Sequence, residues 1–388
     1  LTESLQGNRK DCLLADIDRC VTAAGARLLS RWVAEPSAET SGINARLDAV
    51  AWLVAQEEVR AQVRLLLKAT GDVARCVSRL LLGRGGPRDV GVLRQTGLQL
   101  PALAKALDGT LPALLATQRQ GLLGLADLTA LLARALADDP LPALLREGGC
   151  VRERYDAEVD AQRHLVRDGH AILEALEAQE SATCGMVLKA RYNQVWGYYL
   201  EVSKAQMKEV PGYFIHRQTT TTAHRYTTPA LQELERKLGN AGAAVQAREE
   251  RIFTELGEAV RAASYALLAA SESLATLDVL AGLAELANRN RWVRPVVDDS
   301  TAFRIETGRH PVVDSRVGTF VPNDCDLSGG QLWLLTGPNM AGKSTFLRQN
   351  ALLVVLAQMG SFVPAASAHT GVADALMSRI GAADNLAA

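Results

Sequence analysis

Apolar residues at Leu13, Leu14, Ile17, Val21, Leu28, Leu29 and Trp32 recur three and four positions apart, which places them along one face of successive α-helices. The same texture runs to about residue 150, broken by Pro36, residues 83–87, Pro101 and residues 138–142, and it predicts a helical bundle with loops at those breaks. Residues 155 to about 183 extend the helical pattern, with charge gathered on one face. Between 187 and 227 the chain turns to Tyr, Thr and Val, with Gly197, Pro211 and Gly212 as turn residues; this predicts a small sheet set between helices. From 230 to 290 proline is absent and helix formers dominate. A continuous helix of that length would reach roughly 90 Å, and Gly239 and Gly242 predict a turn or kink near its start. The simplest arrangement is a long two-helix arm with the sheet at its tip.

Beyond residue 300, short strand-like runs stand at 303–306, 312–313 and 332–336. The last leads through a glycine turn into a helix from Lys343 to Met359 that is apolar on nearly every side, as expected of a helix packed inside an α/β domain. The predicted fold class is mainly α with an α/β part.

Composition narrows this picture. Hydrophobic residues at 48% and charged residues at 22% fit a globular chain and exclude a disordered one. The formal net charge is −1, so any nucleic-acid contact needs a local basic patch. The six cysteines lie far apart with no CxxC pair, which predicts free thiols in a reducing cytosol. The first eleven residues are too polar for a secretory leader, and the strongly apolar run 351–357 is too short to span a bilayer. A cytoplasmic location without membrane contact is the expectation. The chain opens on Leu1 rather than Met and closes at Ala388 without a cap or charged tail, so it reads as a piece of a longer protein.

Residues 337–344, Gly-Pro-Asn-Met-Ala-Gly-Lys-Ser, fit G-x-x-x-x-G-K-[ST] at every fixed position. Gly337 and Gly342 lack Cβ, so the backbone can curl and turn its N–H groups toward phosphate oxygens. The helix starting near Lys343 offers free N–H groups and the positive end of its dipole to the same anion. Lys343 adds a full charge for the terminal phosphates, Ser344 a hydroxyl for Mg²⁺, and Thr345 stands next to it. The bland alternative is a glycine turn capping an ordinary helix. ATP and Mg²⁺ are the predicted cofactors. The nucleotide-binding set is Gly337, Pro338, Asn339, Met340, Ala341, Gly342, Lys343, Ser344 and Thr345. Hydrolysis needs a second acidic strand, and no apolar run ending in Asp-Glu follows Ser344.

The loop interior, Pro338 to Ala341, is more specific than the generic pattern. Together with Arg348-Gln349, residues 360–365 (Gly-Ser-Phe-Val-Pro-Ala) and residues 378–384 (Ser-Arg-Ile-Gly-Ala-Ala-Asp), it resembles the ATPase domain of the MutS family. Residues 308–313 (Gly-Arg-His-Pro-Val-Val) and 320–324 (Phe-Val-Pro-Asn-Asp) are similar to the strand and loop before that family's phosphate loop. Residues 22–29, 46–50 and 277–281 resemble its core helices, and residues 192–202 with 217–219 its clamp.

The resemblance implies a helical core with long lever helices, a small β-rich clamp and a C-terminal ABC-type P-loop ATPase domain, here truncated. The implied domains are 1–155 for the first part of the core, 156–275 for the levers with the clamp at about 187–227, 276–300 for the return to the core, and 301–388 for the start of the ATPase. It further implies a homodimer that closes on double-stranded DNA containing mismatches or small loops, under control of ATP, with downstream factors of the MutL type. Phe320 matches the family's adenine-stacking residue. His310 fits the family's His-Pro as either a structural histidine or a nucleotide contact. The mismatch-reading domain would precede Leu1; the Asp-Glu strand, signature loop and dimerising segment would follow Ala388.

Within 187–227 stand six Lys or Arg (Lys189, Arg191, Lys204, Lys208, Arg217, Arg225) against Glu201 and Glu209, and seven of the 18 aromatics. A local excess of +4 with a threonine run at 219–222 suits phosphate contact, although a solvated sheet surface has the same composition. With the clamp resemblance, the expected DNA contacts are Lys189, Arg191, Asn193, Gln194, Arg217, His224 and Arg225. A MutS-II-like protein of recombination control lacks a clamp, and a chromosome-organising ABC protein needs sustained heptads that 230–290 does not hold; both remain as alternatives.

Overall fold

The computed structural model describes residues 1–2, 12–193, 197–314, 316, 319–338 and 341–378. It is mostly helical. Eight helices come first: α1 (Leu13–Ile17), α2 (Ala23–Ala34), α3 (Thr40–Ala55), α4 (Glu57–Lys68), α5 (Val73–Leu81), α6 (Pro87–Ala106), α7 (Ala113–Gly121) and α8 (Ala126–Ala135). The helix α9 (Ala157–Cys184) leads to the strands β1 (Lys189–Asn193), β2 (Gly197–Ser203), β3 (Ile215–Thr219) and β4 (Ala223–Thr227). Two long helices follow, α10 (Pro229–Ala262) and α11 (Ser264–Asn290), then β5 (Val296–Asp298), β6 (Phe303–Gly308), β7 (Asn323–Asp326), α12 (Lys343–Gln358) and β8 (Ser367–Gly371). The chain divides into two compact units, one of 1–79, 92–129 and 262–388, the other of 80–91 and 130–261.

In the first unit α11 is the central rod, with α2, α3, α4 and α7 packed round it. Almost every residue from Leu274 to Ala287 is buried. By length and hydropathy alone α11 could cross a membrane, but 78% of its apolar window lies inside the protein, as a core helix requires. The predicted stripe residues Leu13, Ile17, Leu28, Leu29 and Trp32 are all core.

A buried carboxylate sets the register between sequence-distant parts. Asp278, fully enclosed, accepts hydrogen bonds from the backbone N–H groups of Val21 (2.9 Å) and Thr22 (2.7 Å) and from the Thr22 hydroxyl (2.6 Å). The same hydroxyl caps α2 by accepting from Gly25 N–H. A Cβ at position 25 would lie 2.3 Å from the Asp278 carboxylate, so the helix approaches this closely because residue 25 is glycine.

The second unit holds the predicted small sheet, four antiparallel strands in the order β1-β2-β4-β3. Leu188, Leu200, Val202, Phe214 and Tyr226 pack against Leu173 of α9 and Leu231 of α10. Glutamates of the helices take up strand N–H groups: Glu177 accepts from Ala190 (2.6 Å) and Glu235 from Tyr198 (3.2 Å). Further along, the buried Glu249 accepts from Gly149 and Cys150 N–H and pairs with Arg163 at 2.6 Å.

Four expectations are corrected. No break occurs at Gly239 or Gly242; α10 runs through both, where nothing crowds the helix, and the break falls at Ala263 instead. Pro101 does not end its helix but lies inside α6, at the cost of one backbone hydrogen bond. Residues 312–313 form a turn rather than a strand, for a reason given below. Residues 332–336 form no regular element and pair with no strand among the described residues, and Leu332 (94%) and Leu334 (88%) are exposed. A buried parallel strand needs ladder partners on its edges, and none stands beside this segment among the described residues. The sheet that does form, in the order β5-β8-β6-β7, is mixed, with β5 parallel to β8 and the remaining pairs antiparallel.

Candidate functional site

The phosphate-loop segment enters α12 through two backbone positions that favour glycine. Gly337 has φ 145° and Gly342 has φ 85°, and Gly342 is the left-handed N-cap of the helix. Asn339 and Met340 lie outside the described residues. Pro338 O accepts from Ala341 N–H at 3.4 Å and Gly342 O from Phe346 N–H at 2.9 Å. The N–H groups of Lys343, Ser344 and Thr345 stand in the first turn, where a helix provides no acceptor of its own. The Lys343 ammonium folds back onto the Gly337 carbonyl, which holds a full positive charge beside the N-terminus of α12. Ser344 is exposed and Thr345 half-buried.

This donor set fits a polyphosphate: the first-turn N–H groups of a helix stand beside one ammonium, and among the described residues no carboxylate bonds to that ammonium. Ser344 would supply a hydroxyl to Mg²⁺. Phe320 is half-buried in the coil before β7. A contact that sequence reading did not find stands behind the loop, where the Trp333 and Phe346 rings stack at 6.5 Å with 5° between planes.

His310 is buried, and its Nδ1 accepts from the N–H groups of Val312 and Val313, both at 3.2 Å. That double acceptance turns the chain at 311–314 and explains why no strand forms there. An accepting Nδ1 carries no proton, so the neutral ring is the form that folds this turn. Burial, aided by the charge of Arg348, pushes the His310 pKa below its ordinary value. The unfolded chain therefore binds more protons below about pH 6.5, and stability is lost as pH falls through and below that range. Urea melts between pH 5 and 7.5 should show stability rising with pH, and His310→Gln, which keeps an acceptor but cannot titrate, should flatten that rise. An identical pH dependence in the variant would remove His310 as its source.

The sheet of the second unit offers the other candidate surface. Side chains alternate across a strand, so Lys189, Arg191 and Asn193 of β1 share one face with their cross-strand partners Glu201, Tyr199 and Gly197, and through Glu201 with Arg225 of β4. This face lies opposite the apolar core, which takes Leu200, Val202 and Tyr226. Lys189, Arg191 and Arg217 are exposed, and none forms an ion pair among the described residues.

The structure divides the remaining predicted contacts. Arg225 is committed within the sheet, 3.0 Å from Glu201, 2.9 Å from Gln218 and over the Tyr199 ring. His224 pairs with Val202 and sits at the rim of the core-side face, its Nδ1 3.0 Å from the Thr219 hydroxyl, which also meets His216. Arg217 is the extra residue of a bulge between His216 and Gln218. Gln194 and Trp196 lie outside the described residues. The free positive charge of the outer face is thus concentrated at Lys189 and Arg191.

Comparison with known proteins places the chain in a family. The profile of MutS domain III matches residues 1–284 and that of MutS domain V residues 333–388. Over its whole length the chain is 46% identical to the DNA mismatch repair protein MutS of Dinoroseobacter shibae, 43% to that of Cereibacter sphaeroides and 44% to that of a Ruegeria species. It spans 46% of the length of each of these relatives.

Proposed function

The chain belongs to the MutS family, and from that membership we propose that it is the core, clamp and leading ATPase segment of an ATP-dependent DNA mismatch-repair protein. The intact protein would close as a homodimer on duplex DNA carrying a mispair or small loop, and ATP would switch its grip. The observation that carries this reading is the pair of positive-φ glycines, Gly337 and Gly342, with the Lys343 ammonium bonded back to Gly337, in a chain that also presents Lys189 and Arg191 on a sheet face free of core contacts.

The two surfaces divide the work. Residues 337–345 hold the triphosphate and Mg²⁺, with Phe320 as the base-stacking residue. Lys189, Arg191 and Arg217, with Asn193, contact the DNA backbone without reading sequence, because an ammonium or guanidinium on a phosphate carries no base information. Hydrolysis, the partner subunit and contacts with MutL-type factors belong to the intact protein, working in the cytosol. A recombination-control protein without a clamp is disfavoured by the four-stranded sheet at Lys189–Thr227.

The test is the salt dependence of duplex binding. Replacing both Lys189 and Arg191 by alanine should weaken binding to matched and mismatched duplexes alike. It should also lower the slope of log K against log salt by about two, since each lost phosphate contact removes about 0.9. Fluorescence anisotropy between roughly 50 and 200 mM salt measures it. An unchanged slope would move the contact elsewhere.

A further inference from the structure

The helix that begins at the phosphate loop ends in a fastening that phosphate binding does not require. Two backbone carbonyls at the C-terminal end of α12 are taken by the helical core. Ser37 N–H, in the α2–α3 turn, donates to Gln358 O at 3.2 Å, and Arg46 Nη1 of α3 donates to Met359 O at 3.1 Å. The Gln358 side chain adds three further bonds: its Nε2 donates to Ser37 O and Ala373 O, both at 3.0 Å, and its Oε1 accepts from Ala373 N–H at 3.1 Å. Met359 is fully buried and Gln358 nearly so.

Arg46 is held from three sides. Its guanidinium carbon sits 3.7 Å from the centre of the Trp32 ring on α2. Its stem lies against Gly360, which has φ 88° and where an added Cβ would fall 2.4 Å from Arg46 Cβ. A cation at a helix C-terminus is also where the dipole favours one. The planar group thus joins α2, α3 and α12 through one stack and one charge-assisted bond, a geometry that lysine satisfies only in part. From Lys343 to Gln358 the helix is unbroken, about 24 Å at 1.5 Å per residue, so a shift of its phosphate-binding end is delivered to this joint. α3 in turn packs on α11, which starts one residue after the Ala263 break.

We infer that Arg46 is a positioning residue that latches the phosphate-binding helix to the α2–α3 core, and that nucleotide occupancy reaches the rest of the protein through this latch. The inference rests on the nucleotide and DNA reading proposed above and adds the joint between them. Arg46 touches no nucleotide; its effect is on coupling. The affinity of α12 for phosphate comes from its other end, so loss of the latch leaves nucleotide binding in place and disconnects it.

The experiment uses the intact protein, a fluorescent duplex with one mispair and a non-hydrolysable ATP analogue. The quantity read is the ratio of duplex affinities without and with the analogue, at least about fivefold for wild type, since allosteric couplings typically run from 5- to 150-fold. Arg46→Met keeps the stem against Gly360 and Trp32 but loses the donor. It should bind the analogue within about threefold of wild type while its ratio falls to within about twofold of unity. Arg46→Lys, which restores the charge without the plane, should recover an intermediate ratio; this rescue separates a latch from simple loss of fold and serves alone if Arg46→Met does not fold. A wild-type ratio in either variant overturns the latch alone. A wild-type protein that binds the analogue with no change in duplex affinity overturns the latch and the proposed switching together.

Discussion

Replacing Lys343 by alanine should lower affinity for ATP by about tenfold to a hundredfold while leaving the fold intact. The ammonium is held over the loop by the Gly337 carbonyl, and a charge-assisted bond to a terminal phosphate is worth about 1.5–3 kcal/mol, which converts to that range. Nothing in the core depends on it: the buried residues of α12 begin at Gln349. Titration with a fluorescent ATP analogue measures the loss, and far-UV circular dichroism checks the fold. A companion substitution sharpens the result. Gly342 sits at φ 85° with open space where a Cβ would go, so Gly342→Ala strains the backbone without a clash and should weaken binding less than loss of the lysine. Wild-type affinity in Lys343→Ala would mean that the loop merely caps a helix.

How much of this was legible in the sequence depended on the range of the forces involved. The bundle, the presence of a small sheet between helices and the start of α12 were readable because period, proline and glycine act within a few residues. The phosphate loop was readable because its chemistry is contiguous. The break at Ala263 was not: 258–266 holds no proline, the cap residue Ala263 has no side chain that could bond the helix end, and nothing in the local sequence explains it. Residues 332–336 carry every local feature of a strand and still pair with no strand among the described residues, because a strand is completed by neighbours and not by its own residues. The His310 turn was missed for the opposite reason. The Val-Val pair favours extended backbone, and a buried imidazole two residues earlier overrides it.

The sheet surface shows the same limit. The basic excess between 187 and 227 is legible in composition, but the sequence alone groups Arg225 and His224 with Lys189 and Arg191 as expected contacts. Register decides which are available: Arg225 faces Glu201 across the strand and is neutralised, while His224, one residue away, points to the other side. The joint that Arg46 and Gln358 make is not legible in the sequence, because their partners lie 313 and 321 residues distant.

The most damaging single substitution in the described structure should be Asp278→Ala, with a loss of about 3–5 kcal/mol of stability. Burial pushes the Asp278 carboxyl pKa up, and the bonds from Thr22 and Val21 pull it back. Deleting the side chain strands three donors at once: the N–H groups of Val21 and Thr22 and the Thr22 hydroxyl. Each buried, unsatisfied group costs about 1–3 kcal/mol, and entry of water would recover part of that. The damage would centre on α2, since the Thr22 hydroxyl that caps Gly25 N–H is itself held by Asp278. Asp278→Asn keeps the volume but presents an amide that can accept through only one oxygen, so a smaller loss is expected. Urea denaturation followed at 222 nm gives both values, and hydrogen exchange at Gly25 locates the effect. A loss below about 1 kcal/mol for the alanine variant, within the range of ordinary surface changes, would show that α2 and α11 are held together by apolar packing and that the carboxylate contributes little.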